Sequence, residues 1–174
     1  MKKSLMLVSL APLALLASGA FAANLEVQFN GAITDSACEP VIIEGGAVSP
    51  TNSIDLGTYS VVESTKSGVF GDEKSFEIGQ KDASECTSVK AVSVQVSGMA
   101  DTSLKHILKN TNTDIANVGF LLKDRDSVNI LNQSKEYTTG LDSLAYTVQL
   151  FNLDGVAPKT GAVTGVVDYT LAYK

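Results

Sequence analysis

Tryptophan is absent from this 174-residue sequence, histidine occurs once and cysteine twice. A zinc site built from Cys and His wants four such ligands, or three plus water, so the inventory nearly excludes one. Aromatic residues of all kinds reach only 6 %, and without an indole a sugar-stacking lectin site is disfavoured. Cations are scarce as well: 13 Lys and Arg stand against 19 Asp and Glu, for a formal net charge of −6. A nucleic-acid surface or a polybasic membrane patch needs clustered Lys and Arg, and this balance argues against both. Beyond the opening segment no stretch approaches the ~18 apolar residues of a membrane span. What remains is 44 % hydrophobic residues, enough for a packed core, and a length suited to one ordinary domain.

The opening segment reads as an address rather than as fold. Lys2 and Lys3 make a basic start, Leu5 to Ala17 is apolar except for Ser9, and Ala20-Phe21-Ala22 has the small–x–small pattern of a cleavage site. We read 1–22 as a secretory signal peptide, because the apolar run is too short to span a membrane. Export changes the meaning of the cysteines. Cys38 and Cys86 both follow the leader, and a lone pair in an oxidising compartment is expected to form one disulfide. A redox pair would be close-spaced as C-x-x-C, whereas these two stand 48 positions apart. Closing a loop of that size stabilises by about 4 kcal/mol in the chain-entropy model.

Period-two alternation dominates the rest of the chain. Leu25, Val27, Phe29, Gly31 and Ile33 take odd positions, with Glu26, Gln28, Asn30 and Thr34 between them. Phe76 and Ile78, then Val92, Val94 and Val96, then Val118, Phe120 and Leu122 repeat the pattern. Leu144, Tyr146, Val148 and Leu150 follow, and Val163, Gly165, Val167, Tyr169, Leu171 and Tyr173 run almost to the last residue. Turn chemistry separates these runs at Gly45-Gly46, Ser49-Pro50, Gly68 to Asp72, Asp124 to Ser127 and Asp154-Gly155. Leu104, Ile107 and Leu108 have helical spacing in a window too short for a helix of any length. The expectation is an all-β domain of roughly eight short strands, arranged as a β-sandwich. Whether the first alternating segment folds back on its own domain or pairs elsewhere stays open at this level.

Catalytic readings find little support. His106 is the only imidazole and stands among Leu104, Lys105 and Ile107, with no G-x-S-x-G elbow anywhere in the chain. Asp124 and Asp126 flank Arg125, but Val128 breaks the calcium-loop pattern, so a solvated loop is expected there. No Gly-rich phosphate cradle sits between a strand and a helix. No enzyme, cofactor or metal is expected.

Four separated elements resemble the structural pilins of chaperone–usher (type 1-like) fimbriae. Phe29-x-Gly31-x-Ile33 ahead of Cys38 is similar to the family's aromatic–Gly–aliphatic pattern before the first cysteine. Ile54-Asp55-Leu56-Gly57 looks like its hydrophobic-Asp-Leu-Gly element, and Phe76-x-Ile78 resembles the strand before the second cysteine. Gly161 is fourteenth from the last residue and Tyr173 is penultimate, with apolar residues alternating between them.

That resemblance implies an incomplete immunoglobulin-like sandwich lacking its last strand, completed in trans by donor-strand exchange. It implies a donor extension at 23–35, carrying Leu25, Val27, Phe29, Gly31 and Ile33, ahead of a pilin domain at 36–174. The groove strand would present Gly161, Val163, Val167, Tyr169, Leu171 and Tyr173. Implied partners are other pilin subunits in a homo- or hetero-polymer, a periplasmic chaperone, an outer-membrane usher and, through an adhesin, a host receptor. The implied role is a structural fimbrial subunit, exported through the periplasm to the cell surface and supporting cell adhesion. A tip adaptor or a weak receptor-binding subunit is the alternative within the same family, and a self-contained secreted sandwich is the alternative outside it.

Overall fold

The computed structural model describes residues 38–174. The leader and the alternating segment with Leu25, Val27, Phe29, Gly31 and Ile33 lie outside the described residues. Among the described residues nine strands appear in chain order: β1 (Pro40–Glu44), β2 (Ala47–Val48), β3 (Gly68–Gln80), β4 (Val92–Gly98) and β5 (Ile107–Lys109), then β6 (Val118–Asp124), β7 (Ser134–Tyr137), β8 (Ser143–Asn152) and β9 (Val167–Tyr173). Only short 3-10 turns, such as Val61–Ser64 and Thr113–Ile115, interrupt them. The expected all-β class holds.

The strands form two antiparallel sheets. One has six strands in the order β2-β1-β3-β8-β6-β5, and the other has three in the order β7-β4-β9. The alternating runs explain the layers. Val92, Val94 and Val96 on β4 face Phe120, Leu122, Leu144, Tyr146 and Leu150 across the sandwich, and all of these are buried. Their polar neighbours in sequence point outward, as strand geometry requires.

The register defines the two ends of the sandwich. At one end Gly68 and Val118 both pair with Asn152, and Gly98 pairs with Val167. Met99 ties the two sheets together there, since its carbonyl accepts from Lys109 N at 2.7 Å. The other end holds the Cys38–Cys86 disulfide, with Cα atoms 5.6 Å apart, and the last residue. Lys174 N donates to Ala91 O there, and Lys174 O accepts from Lys90 N at 2.7 Å.

Three local expectations are corrected. Gly68 to Asp72 is not a turn between strands but the start of the 13-residue β3. A bulge between Phe70 and Lys74 absorbs the turn-like residues, with Gly71 at φ 68°. The ring of Tyr59 lies where a Cβ on Gly71 would sit, so only glycine fits this bulge. In keeping with a window too short for a helix, Ile107 and Leu108 lie in a strand, β5, where Leu108 pairs with Phe120, and Leu104 precedes it. The last strand begins at Val167 rather than Val163, since Asn110 Oδ1 accepts from Thr164 N at 3.0 Å and Thr111 N donates to Thr164 O at 2.8 Å.

The third correction concerns Asp124, which is not in a solvated loop. Its side chain is fully buried and accepts from the N–H groups of Asp126 and Val128 at 2.9 and 3.0 Å. Lys135 Nζ and Tyr137 Oη donate to its other oxygen. The Asp-rich tetrad that suggested a solvent-facing turn is a tight turn closed inward on one carboxylate. His106 stays exposed, with its ring edge-on to Phe151 at 6.4 Å. Among the described residues no cluster of His, Cys, Asp and Glu could hold a metal, and no helix is long and apolar enough to cross a membrane.

Candidate functional site

A strand at the edge of a sheet leaves one row of backbone groups and one flank of its side chains uncovered. Among the described residues β9 is such a strand, pairing with β4 on one side only. Val167, Tyr169, Leu171 and Tyr173 point at the core from β9, while Asp168, Thr170 and Ala172 face solvent. Yet the four inward side chains are only half-buried. An apolar groove of about 920 Å³ runs beside Val167 and Tyr169.

The floor of the groove is core. Phe76, Leu108, Ile115, Phe120, Leu122, Val148 and Leu150 line it, the same side chains that fill the sandwich. One wall is Gly161 to Val167 together with Tyr169. Gly165 leaves the wall bare because a Cβ there would stand 2.7 Å from the Phe120 ring. Gly161 is close-packed for a similar reason, its Cβ position lying 2.8 Å from Ile115 Cδ1. The Tyr169 ring packs against Tyr146 at 5.3 Å and Phe76 at 6.2 Å. Burial pushes the Tyr146 and Tyr169 hydroxyls well above the usual phenol range, so both stay neutral.

The opposite wall is the irregular segment from Ile54 to Tyr59. Ile54, Leu56 and Tyr59 are half-buried against the core, and all three line the groove. Asp55 Oδ1 accepts from Gly57 N at 2.9 Å, and Gly57 sits at φ 90°, which turns the chain so that Leu56 and Tyr59 both face in. Tyr59 Oη accepts from Asp72 N at 3.0 Å, fixing this wall to the bulge of β3. Among the described residues, no backbone group of Ile54–Tyr59 pairs with another backbone group. Two stretches with free backbone groups among the described residues, the strand β9 and the irregular Ile54–Tyr59, therefore flank one apolar trough.

Of the six residues expected at a groove strand, four meet at the groove. Gly161, Val163, Val167 and Tyr169 line the groove, and Leu171 and Tyr173 continue the same face of β9 towards the disulfide end. Sequence reasoning overlooked Tyr59 and the floor residue Ile115. The alternation of Ile54 and Leu56 held the signal for the second wall, although no ladder forms there. The expected donor residues at 25–33 lie outside the described residues.

A sandwich with one such open seam is a known architecture. The family model described as Fimbrial protein matches residues 27–174. The chain belongs to the fimbrial protein family. As a member it is a structural subunit of a surface pilus and polymerises with other pilus subunits. Members of this kind are generally structural rather than catalytic.

Solved structures agree on the fold. The P pilus rod subunit PapA is similar with a TM-score of 0.62 and 19 % identity, over 86 % of this chain and 99 % of that one. The subunit in a chaperone–usher pilus structure concerned with rod uncoiling gives 0.55 and 19 %, over 88 % and 97 %. A Burkholderia pseudomallei antigen and type I fimbria protein, BPSL1626, gives 0.54 and 15 %, over 79 % and 99 %. No curated protein matches the chain. The immunoglobulin-like pilin fold is shared, and the pilin's groove beside β9 is its open seam.

Proposed function

We propose that this pilin polymerises by donor-strand exchange. The extension at 23–35 of one subunit fills the groove of another, and the domain at 36–174 supplies that groove. The observation that carries the reading is the open edge of β9 and the backbone of Ile54–Tyr59, which has no backbone partner among the described residues, on either side of an apolar trough. An added strand would satisfy both backbone rows and bury one face of alternating side chains, a mode of recognition known as strand addition. In an extended strand Leu25, Val27, Phe29 and Ile33 would share one face, and Gly31 would interrupt it with no side chain, which suits a close approach to the floor.

The magnitudes are adequate. Four large apolar side chains contribute about 1.5–3 kcal/mol each on burial. Ladder hydrogen bonds add about 0.5–1.5 kcal/mol net apiece. Ordering the extension costs about 1–2 kcal/mol per residue, so gain and cost are of similar size. Permanence of the joint then rests on slow unfolding of the completed sandwich.

Export follows the same reading. The leader at 1–22 directs the chain to the periplasm, where a chaperone covers the groove and an usher passes the subunit to the surface fimbria. Adhesion to a host is served through an adhesin carried by the fibre. The test is a peptide of residues 23–37 added to the full chain. A rise in unfolding temperature, with loss of chain-to-chain polymerisation, supports the reading. A chain that ignores the peptide and stays a heat-reversible monomer overturns it.

A further inference from the structure

The groove wall at 161–166 belongs to no strand. Val163 and Gly165 continue the alternation of β9, but β4 ends at Gly98, opposite Val167, and offers the wall no ladder. Among the described residues, Thr111 N to Thr164 O at 2.8 Å is the one backbone pair outside the strands that holds this segment. A stretch anchored at a single backbone point has little to fix its place.

Side chains supply the rest, and they all come from Asn110, Thr111 and Asn112. Asn110 Oδ1 accepts from Thr164 N at 3.0 Å. Thr111 Oγ1 donates to Thr164 O at 3.0 Å, and Asn112 Nδ2 donates to Ala162 O at 2.8 Å. These three residues directly follow β5 of the six-stranded sheet, whereas the wall leads into β9 of the other sheet. The clamp therefore reaches from one sheet to the other beside the groove.

Asn110 is the centre of the clamp and is only 1 % exposed. Burying an amide is unfavourable unless its polar atoms are hydrogen-bonded. Here Oδ1 also accepts from Asn112 N at 3.0 Å, and Nδ2 donates to Ile115 O at 3.0 Å. Ile115 belongs to the floor of the groove. One buried amide thus ties floor to wall, where a leucine would fill the space and hold neither. None of the three clamp residues lines the groove itself. They touch the wall and not its occupant, so any effect on the occupant is an effect of position.

We propose that Asn110, Thr111 and Asn112 are positioning residues for strand uptake, holding the wall at 161–166 where a donor segment needs it before the donor arrives. The proposal rests on the strand-exchange reading and adds to it a control of the uptake rate. A wall that wanders leaves only a fraction of the subunits ready, and apparent affinity falls by that fraction. Once a donor lies in the groove, the donor holds the wall. Losing the clamp therefore slows association and leaves dissociation unchanged. A role confined to folding would lower stability and leave uptake by folded chains as it was.

Stopped-flow anisotropy with a labelled peptide of residues 23–37 tests this on the full chain and its T111V/N112D variant. Thr111 is exposed and Asn112 half-buried, so the variant is expected to fold with a urea midpoint close to the parent's. Asn112→Asp keeps the oxygen that accepts from Asp114 N and removes only the donor to Ala162 O. The association rate constant is expected to fall several-fold, with the dissociation rate constant unchanged. Thr111→Ser keeps the hydroxyl and should match the parent. Amide hydrogen exchange at 161–166 should speed up several-fold in the peptide-free variant and return to the parent's rate once peptide is bound. An unchanged association rate, or an equal loss in T111S, overturns the clamp while leaving strand exchange intact. Failure of the parent to take up the peptide overturns strand exchange and the clamp's role with it.

Discussion

Val94 and Leu171 pair directly across the β4–β9 ladder, yet Val94 is 2 % exposed and Leu171 is only half-buried. The two side chains point at the same core from adjacent strands. β4 has β7 on its other side, and β9 has nothing among the described residues. The difference in burial is therefore the area that an incoming strand would cover.

A charge at that position separates folding from assembly. Leu171→Asp places a carboxylate on the inward face of β9, where solvent still reaches it in the open subunit. The subunit is expected to fold with a modest loss of stability. Uptake of the 23–37 peptide should weaken by at least the ~1.5–3 kcal/mol of a buried leucine, tenfold or more. Titration of peptide binding by fluorescence anisotropy measures this, and undiminished affinity would remove Leu171 from the groove.

The donor side makes a matching pair of expectations. Phe29→Ala in the peptide removes the largest inward side chain, and its cost should fall near the ~3–5 kcal/mol of aromatic truncations in cores. Gly31→Leu should be as damaging for the opposite reason, since a side chain would be forced onto a floor already filled. Competition of each variant peptide against the parent sequence reads both effects. A Gly31→Leu peptide that binds normally would mean that position 31 does not approach the floor.

Much of this architecture was legible because strands advertise themselves by alternation. The runs around Phe76, Val92, Val118, Leu144 and Val167 all became strands, and the Gly45-Gly46 turn became the β1–β2 hairpin. What stayed hidden was tertiary. Nothing local marks Asp124 as buried, because its partners Lys135 and Tyr137 arrive from another strand. Nothing local shortens the last strand to Val167 either; Asn110 does that from 54 positions away. The second wall of the groove was read as a motif, Ile54-Asp55-Leu56-Gly57, without its place in the fold. It has no ladder partner, so the usual strand logic had no purchase on it.

Asp124 sets a pH limit on the subunit. Burial alone would raise its pKa, but hydrogen bonds from Lys135 and from the N–H groups of Val128 and Asp126 outweigh burial and hold it below the usual carboxylate range. A group whose folded pKa is depressed stabilises the fold above its unfolded value, near 3.9, and that contribution is lost as pH falls towards the folded value. Urea midpoints of the parent should therefore drop below about pH 4. Asp124→Asn should lose about 1–3 kcal/mol at neutral pH and show a flatter acid limb. An identical acid limb in the variant would assign the transition to other carboxylates.

The disulfide and the groove lie towards opposite ends of the domain, so their effects should be separable. Cys38 and Cys86 are both buried, and their bond closes a loop of 48 positions that ties the root of the extension to the core. The C38S/C86S variant is expected to lose about 2–5 kcal/mol, measured as a lower urea midpoint. Its groove walls, β9 and Ile54–Tyr59, do not contain either cysteine, so peptide should still bind the folded fraction. Binding to the folded state alone restores stability by mass action, about 2.7 kcal/mol at a hundredfold excess over Kd. The variant should thus be rescued in large part by the 23–37 peptide and not by one carrying Phe29→Ala. Rescue by both peptides alike would mean that the added chain acts on the unfolded ensemble rather than in the groove.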